Sequence, residues 1–408
     1  MKVFEDLEKR GLVKQTTNTE KIRELFEAEE PQIFYIGFDP TADSLHVGHL
    51  LQIVTAKRLA DAGHVPVILI GMGTAMVGDP TGKTDARKVL PVEEVIKNSM
   101  LIERQIKKIM GLPPAPAGIT IIDANSPVVH FVSNFEWLNG LRWLDMLQEI
   151  GRHFSVNNML RAECFKSRLE SGLSFLEFNY MIMQAFDFLH LHETLDCVLQ
   201  VGGDDQWSNM LAGVDLVHKK TGHEVFAMTL PLLTNSDGTK MGKTERGAVW
   251  LDPNKTSPFE FFQFWRNIPD DKVKDCINFF TDEINSETSV LININQHKKF
   301  LAFEVTALVH GKELAQQALE QAEALFKNRD SSVIEAITIE DGVQILELLV
   351  KAGFAKSRTD ARNLINNRGI SINDQVLVDP TVAITRSQFG SDLTIRKGKK
   401  TFGRFCIR

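Results

Sequence analysis

Tyrosine is almost missing from these 408 residues: there are 2, against 26 phenylalanines. Phenylalanine therefore does nearly all the large aromatic packing. A phenolic hydroxyl survives only at Tyr35 and Tyr180, where a hydrogen-bonding task is expected. Cysteine is scarce too. Cys164, Cys197, Cys276 and Cys406 lie far apart, show no zinc-type pairing and fit reduced thiols in the cytoplasm. No stretch approaches the roughly 18 uncharged apolar residues that a membrane-spanning helix needs. The opening MKVFEDLEKRG is charged and amphipathic, without an apolar signal core, so the expectation is a cytoplasmic protein with no membrane partner.

An excess of positive charge is also lacking. The net charge of −7 argues against nucleic-acid binding by the bulk of the chain. Residues 385–408 are the exception, with Arg386, Arg396, Lys397, Lys399, Lys400, Arg404 and Arg408 against the single acid Asp392. Such a patch can bind RNA locally; on charge alone a solvated basic tail fits equally well. What is present is 43% hydrophobic and 24% charged residues, the composition of a globular protein with a substantial core, at a length that suits two or three domains.

Residues 33–38, IFYIGF, read as a buried strand that runs into a turn at Asp39–Pro40. Helical periodicity follows from His49 to Ala62, and VPVILIGMG at 65–73 has the unbroken apolar character of a central parallel strand. That order makes a βαβ unit. A second strand, CVLQVGGDDQW at 197–207, again ends in glycines and acids, so the strand ends should line one crevice. Residues 250–262 mark a change of unit, 259–328 are helical in pattern, and 328–342 look like a linker.

Three stretches carry chemistry. In FNYMIMQAFDF, 178–188, Tyr180, Gln184 and Asp187 share one face of a largely buried helix and need partners. A ligand would supply them; so would a structural hydrogen-bond network. GDPTGKT, 78–84, invites a phosphate-loop reading, but Val77 stands where that loop requires glycine, and the reading fails. GFDPTADSLHVGH at 37–49 and DGTKMGKT at 237–244 are each weak alone.

Together and in this order, the last two resemble the HIGH and KMSKS signatures of the class I aminoacyl-tRNA synthetases. The likeness extends along nearly the whole chain and is strongest to the bacterial tyrosyl group. KMGKT replaces both serines of KMSKS, a form that this group accepts. The resemblance implies an α/β fold: a Rossmann-like parallel-sheet catalytic domain over 1–231, a signature loop and connector over 232–258, and a helical domain over 259–328. A linker over 329–342 and an S4-like α+β RNA-binding domain over 343–408 would follow. It also implies activation of L-tyrosine with ATP and Mg2+, transfer to tRNA(Tyr), a homodimer, and no structural metal.

The implied roles fall on particular residues. Thr41, His46, His49, Lys83, Arg87, Lys240 and Lys243 would stabilise charge on the phosphates. Gly37, Asp39, Gly48, Gly203, Asp205 and Thr244, with the two signature lysines, would hold the nucleotide. Tyr35, Asp79, Tyr180, Gln184, Asp187 and Gln206 would hold tyrosine, so both tyrosines of the chain stand at substrate-contacting positions. Lys356, Arg358, Arg362, Lys397, Lys399 and Lys400 would meet tRNA. The reaction itself needs no protein nucleophile, because the amino-acid carboxylate attacks the α-phosphate; positioning and charge stabilisation suffice. The rivals are a tryptophanyl enzyme, which usually ends without an S4-like tail, and an RNA-binding protein that keeps the fold but not the catalysis. Pyrophosphate exchange separates all three.

Overall fold

A computed structural model describes residues 2–81, 90–113, 129–244, 247–284, 293–327, 336–373, 375–398 and 401–408. The chain forms two compact units, Met1–Gly242 with Val249–Gly311, and Lys243–Ala248 with Lys312–Arg408.

The first unit is built on a six-stranded sheet. Its strands are β1 (Gln15–Thr16), β2 (Ile33–Phe38), β3 (Val65–Ile70), β4 (His130–Ser133), β5 (Leu199–Gly203) and β6 (Phe226–Leu230). They lie in the order β1-β6-β5-β2-β3-β4, parallel except for β1, which runs antiparallel to β6. The inner strands are apolar runs because helices cover both faces of such a sheet. Sequence order runs outward from β2 through β3 to β4, and in the other direction from β5 to β6. The reversal lies between β2 and β5, where an open parallel sheet leaves a crevice at the strand C-termini. The pairing itself shows the opening: β2 pairs with β3 over six residues, but with β5 only at Phe34↔Leu199 and Tyr35↔Gln200.

Helix Val47–Asp61 links β2 to β3 and buries Leu50, Leu51, Ile53, Val54 and Leu59 against the sheet. Helix Tyr180–Leu195 precedes β5 and places Phe188 and Leu189 in the core with Tyr35 and Leu216. Toward the end of the unit come helices Pro258–Arg266, Val273–Phe280 and Ile294–His310. Ser257 and Glu260 form a reciprocal cap on the first, which starts with proline at its first turn. The C-terminal end of Val273–Phe280 is held by Arg10, whose buried guanidinium donates to the carbonyls of Asn278 (2.9 Å) and Thr281 (2.8 Å). Arg58, at the far end of the Val47–Asp61 helix, donates to the same Thr281 carbonyl. Orphan helix carbonyls are thus satisfied by cations, which also suit the negative end of the helix dipole.

In the second unit, strands Gln375–Val376, Ile370–Ile372, Asp392–Lys397, Thr401–Ile407 and Ala336–Ile339 form a sheet in that order. Helices Ile345–Lys351 and Arg358–Asn366 close its core through Ile345, Leu349, Ala361 and Ile365 against Ile370, Ile395 and Phe405. Strand Ala336–Ile339 lies within the stretch expected to be a linker; it pairs in parallel with Thr401–Ile407. Helix Lys312–Lys327 groups with this unit, whereas the pattern of the sequence had joined it to the helices before it. Among the described residues no helix is long and apolar enough to cross a membrane.

Candidate active site

The C-terminal ends of β2, β3, β4 and β5 each deliver polar groups to the crevice. Asp39, just past β2, accepts the Tyr180 hydroxyl on Oδ2 (2.8 Å) and the Thr74 hydroxyl on Oδ1 (2.7 Å). Tyr35, within β2, is 1% exposed, and its hydroxyl has no hydrogen-bond partner among the described residues. Burial, and then the charge of Asp187, raise the Tyr35 phenol well above its ordinary pKa, so it stays a donor. Asp187 is 1% exposed and accepts Asn134 Nδ2 on one oxygen (3.0 Å) and Trp137 Nε1 on the other (2.8 Å). Burial pushes its carboxyl up to about 7 against the opposing pull of those two donors.

At the start of helix Val47–Asp61 the two signature histidines cap the helix on each other. Gly48 N–H donates to His46 Nδ1 (3.1 Å) and His46 N–H donates to His49 Nδ1 (3.2 Å), with the rings 4.0 Å apart. With both Nδ1 atoms occupied as acceptors, each neutral ring carries its proton on Nε2. Enclosure, and then the neighbouring His46, hold His49 well below the usual histidine range, which keeps it neutral.

The β5 end supplies two consecutive acids with different fates. Asp204 is used internally, accepting Gln15 (2.7 Å) and Thr229 (2.8 Å). Asp205 instead meets the Lys240 ammonium at 2.6 Å. Gln206 donates to Asp79 Oδ2 (2.8 Å) while its own oxygen accepts from Asn209 (3.1 Å), so its amide has one orientation. The start of the signature helix is tied to the stretch that follows the signature loop. Val249 N–H donates to the Gly242 carbonyl, Val47 N–H donates to the Val249 carbonyl, and His46 bridges to Trp250. Gly242 has φ +84°, and a Cβ there would sit 2.2 Å from Val47 Cγ2. Only glycine fits.

Several residues expected from the sequence meet in pairs: Tyr180 with Asp39, Asp79 with Gln206, His46 with His49, and Lys240 with Asp205. Gln184 is half-buried one turn beyond Tyr180, Thr41 is exposed beside Asp39, and Gly37 is exposed in the middle of the sheet. Lys243 and Thr244 form a short strand with Gly247–Ala248 in the second unit. Lys83, Arg87, Lys399 and Lys400 lie outside the described residues. Of the expected tRNA contacts, Lys356 and Arg362 are exposed, Arg358 lies 3.5 Å from Glu347, and Lys397 donates internally to the Phe354 carbonyl (2.8 Å). Thr74, Asn134 and Trp137 escaped the sequence reading. Their one signal was position: each follows the C-terminus of a parallel strand. Among the described residues no group of three or more His, Cys, Asp and Glu side chains could hold a metal ion.

Known proteins resemble this chain over nearly its whole length. The family model for class I tRNA synthetases (W and Y) matches residues 27–327, and the tyrosine–tRNA ligase SYY-like C-terminal domain matches 322–405. A tyrosine–tRNA ligase of Clostridium botulinum is 47% identical over 99% of each chain, and one of Acetivibrio thermocellus is 48% identical over 98% of each. Among solved structures, a C-terminally truncated mitochondrial tyrosyl-tRNA synthetase of Aspergillus nidulans superposes with a TM-score of 0.69 at 29% identity, covering 80% of this chain and 94% of that one. The chain belongs to the class I aminoacyl-tRNA synthetases of the tyrosine and tryptophan group and, within them, to the tyrosine–tRNA ligases.

Proposed function

We propose that the β2–β5 crevice holds tyrosine with its phenol at Asp187 and Tyr35 and its α-carboxylate toward the signature histidines. The observation that carries this reading is the pairing of a buried acceptor with a buried, unpartnered donor. Ionised Asp187, which already receives two N–H groups, can only accept, and a substrate hydroxyl would donate to it. The Tyr35 hydroxyl would donate to the same substrate oxygen. Phenylalanine satisfies neither group, and a buried polar atom left unpaired costs about 1–3 kcal/mol. Asp79, Tyr180, Gln184 and Gln206 would surround the amino-acid backbone of the substrate.

For the chemistry, the tyrosine carboxylate attacks the α-phosphorus of ATP, which enters with magnesium as MgATP, and the bond to the bridging oxygen breaks to release pyrophosphate. Negative charge moves onto the β- and γ-phosphates. Thr41, the Nε2–H groups of His46 and His49, the ammoniums of Lys240 and Lys243, and Lys83 and Arg87 would meet it. Gly37, Asp39, Gly48, Gly203, Asp205 and Thr244 would line the nucleotide. ATP–pyrophosphate exchange with tyrosine, tryptophan and phenylalanine tests the pocket. Exchange with tyrosine alone is expected; comparable exchange with phenylalanine would overturn the roles of Tyr35 and Asp187.

The remaining proposals concern partners. Lys356, Arg358 and Arg362 on the second unit, with Lys397, Lys399 and Lys400, are proposed to meet tRNA(Tyr), with 343–408 as the RNA-binding domain. A homodimer is supported by an apolar surface on the first unit where Trp143, Leu144, Leu147, Val156, Phe175 and Leu176 are all exposed. The Trp143 and Phe175 rings lie side by side on it, with centroids 6.5 Å apart. Sedimentation of the wild type and of Phe175→Asp tests it: a dimer converted to monomer is expected. Free thiols at all four cysteines suit the proposed cytoplasmic setting.

A further inference from the structure

We infer that Thr74 is a positioning residue whose hydroxyl links Asp187, at the phenol end of the tyrosine site, to Asp39, which holds the Tyr180 hydroxyl at the ammonium end, so that the two ends are read as one unit. The inference rests on the proposed placement of the phenol at Asp187 and of the substrate's amino group near Tyr180.

Thr74 lies in the short helix Met72–Ala75 that follows β3, and it is 2% exposed. Asn134, fully buried at the end of β4, sits between it and Asp187. The direction of each hydrogen bond follows from one backbone contact. Gly73 N–H donates to Asn134 Oδ1 at 2.8 Å, so the Asn134 amide nitrogen must face the other way. That nitrogen donates to Thr74 Oγ1 (3.0 Å) and to Asp187 Oδ2 (3.0 Å). Thr74 Oγ1 is therefore an acceptor toward Asn134, and its single hydrogen is left for Asp39 Oδ1 at 2.7 Å. The Gly71 carbonyl is the competing acceptor, but it is neutral and more distant at 3.1 Å.

The outcome is a continuous line: Tyr180 to Asp39, Thr74 to Asp39, Asn134 to Thr74, Asn134 to Asp187, Trp137 to Asp187. Every donor along it points at a carboxylate or at the hydroxyl between them. The backbone makes room for this approach, since a Cβ at Gly71 would lie 2.0 Å from Asp39 Oδ1 and 2.5 Å from Thr74 Oγ1. A purely structural bracket would need no particular donor direction. Here the direction gives each of the two carboxylates two donors, Tyr180 and Thr74 on Asp39, Asn134 and Trp137 on Asp187. Removing the Thr74 hydroxyl takes one donor from Asp39 and leaves one Asn134 N–H unpaired beside Asp187. Both ends of the site lose support at once.

The test compares full-length wild type with Thr74→Val, which removes the hydroxyl at nearly constant volume, and Thr74→Ser, which keeps it. ATP–pyrophosphate exchange is measured with tyrosine and with phenylalanine, alongside thermal melting. In Thr74→Val, KM for tyrosine should rise about tenfold, kcat should fall less than KM rises, and the preference for tyrosine over phenylalanine should drop about tenfold. Thr74→Ser should recover both KM and preference. A Thr74→Val protein that melts like wild type and retains wild-type KM and preference overturns the inference. If the valine protein does not fold, Thr74→Ala against Thr74→Ser makes the same comparison. A wild type with no preference for tyrosine would instead strike the placement of the phenol.

Discussion

Asp187 and Lys240 make opposite demands on the solution around them. With its carboxyl at about 7, Asp187 exchanges its proton within the working pH range. Once protonated, it presents a hydrogen where the substrate's hydroxyl must donate. KM for tyrosine should therefore rise as pH falls below about 7, approaching tenfold per unit, while phenylalanine, which makes no such bond, should show no matching change. Folding stability moves the other way. A carboxyl whose folded value lies above its unfolded value of about 4 contributes stability at low pH, and loses it as pH rises through 7. Asp187→Ala should nearly abolish tyrosine activation, whereas Tyr35→Phe, which leaves the charged acceptor in place, should only weaken the discrimination. Lys240 bonds to Asp205 while partly exposed to solvent. If its ammonium follows the departing pyrophosphate, Lys240→Ala should slow adenylate formation by about 2–4 kcal/mol, with little change in tyrosine binding. Rapid-quench measurement of the adenylate separates the two; poor tyrosine binding with a normal rate would refute the role.

The elements differ in how well their own residues announce them. Strands β2 and β3, the helix at 180–195 and the crevice at the strand ends were all legible, because apolar runs and glycine-acid endings are local patterns. β4 is only four residues long, and the Asn134 and Trp137 that follow it carry no periodicity. Only their convergence on Asp187, from a helix some fifty positions downstream, reveals their purpose. Strand Ala336–Ile339 was equally opaque, since its partner strand comes at 401–407. Helix Ile294–His310 holds a property of its own. His310 ends it buried, edge-on to Phe261 (ring centroids 4.9 Å apart), with neither ring nitrogen hydrogen-bonded among the described residues. Burial, and then the nearby Lys108, push its pKa down to about 4. The unfolded chain takes up this proton near pH 6.5 and the folded one does not, so stability is lost as pH falls from about 6.5 to 4, by at most about 3 kcal/mol. His310→Phe should flatten that part of the stability curve in urea titrations repeated across the window.

At the scale of the whole molecule, the first family match ends at residue 327, and every residue proposed for tyrosine activation lies before it. A chain stopped after Lys327 should still exchange pyrophosphate with tyrosine but lose most tRNA charging. A cut near residue 344 would be a poorer choice, because it strands Ala336–Ile339 without its sheet. Charging by the full chain should weaken steeply with added salt. Normal charging by the shortened chain would remove residues 328–408 from tRNA recognition. The contact between Gly242 and Val47 has a further consequence, in the language of inheritance. The two signature stretches are far apart in the gene, yet the side chain of one fills the space that a side chain on the other would need. Position 242 cannot gain a side chain while Val47 stays as it is. A methyl group gained at 242 would survive selection only alongside a methyl lost at 47, and it would still carry a left-handed backbone. A change at 242 must therefore wait on a change at 47, so the order in which the two stretches can alter is set by this one contact.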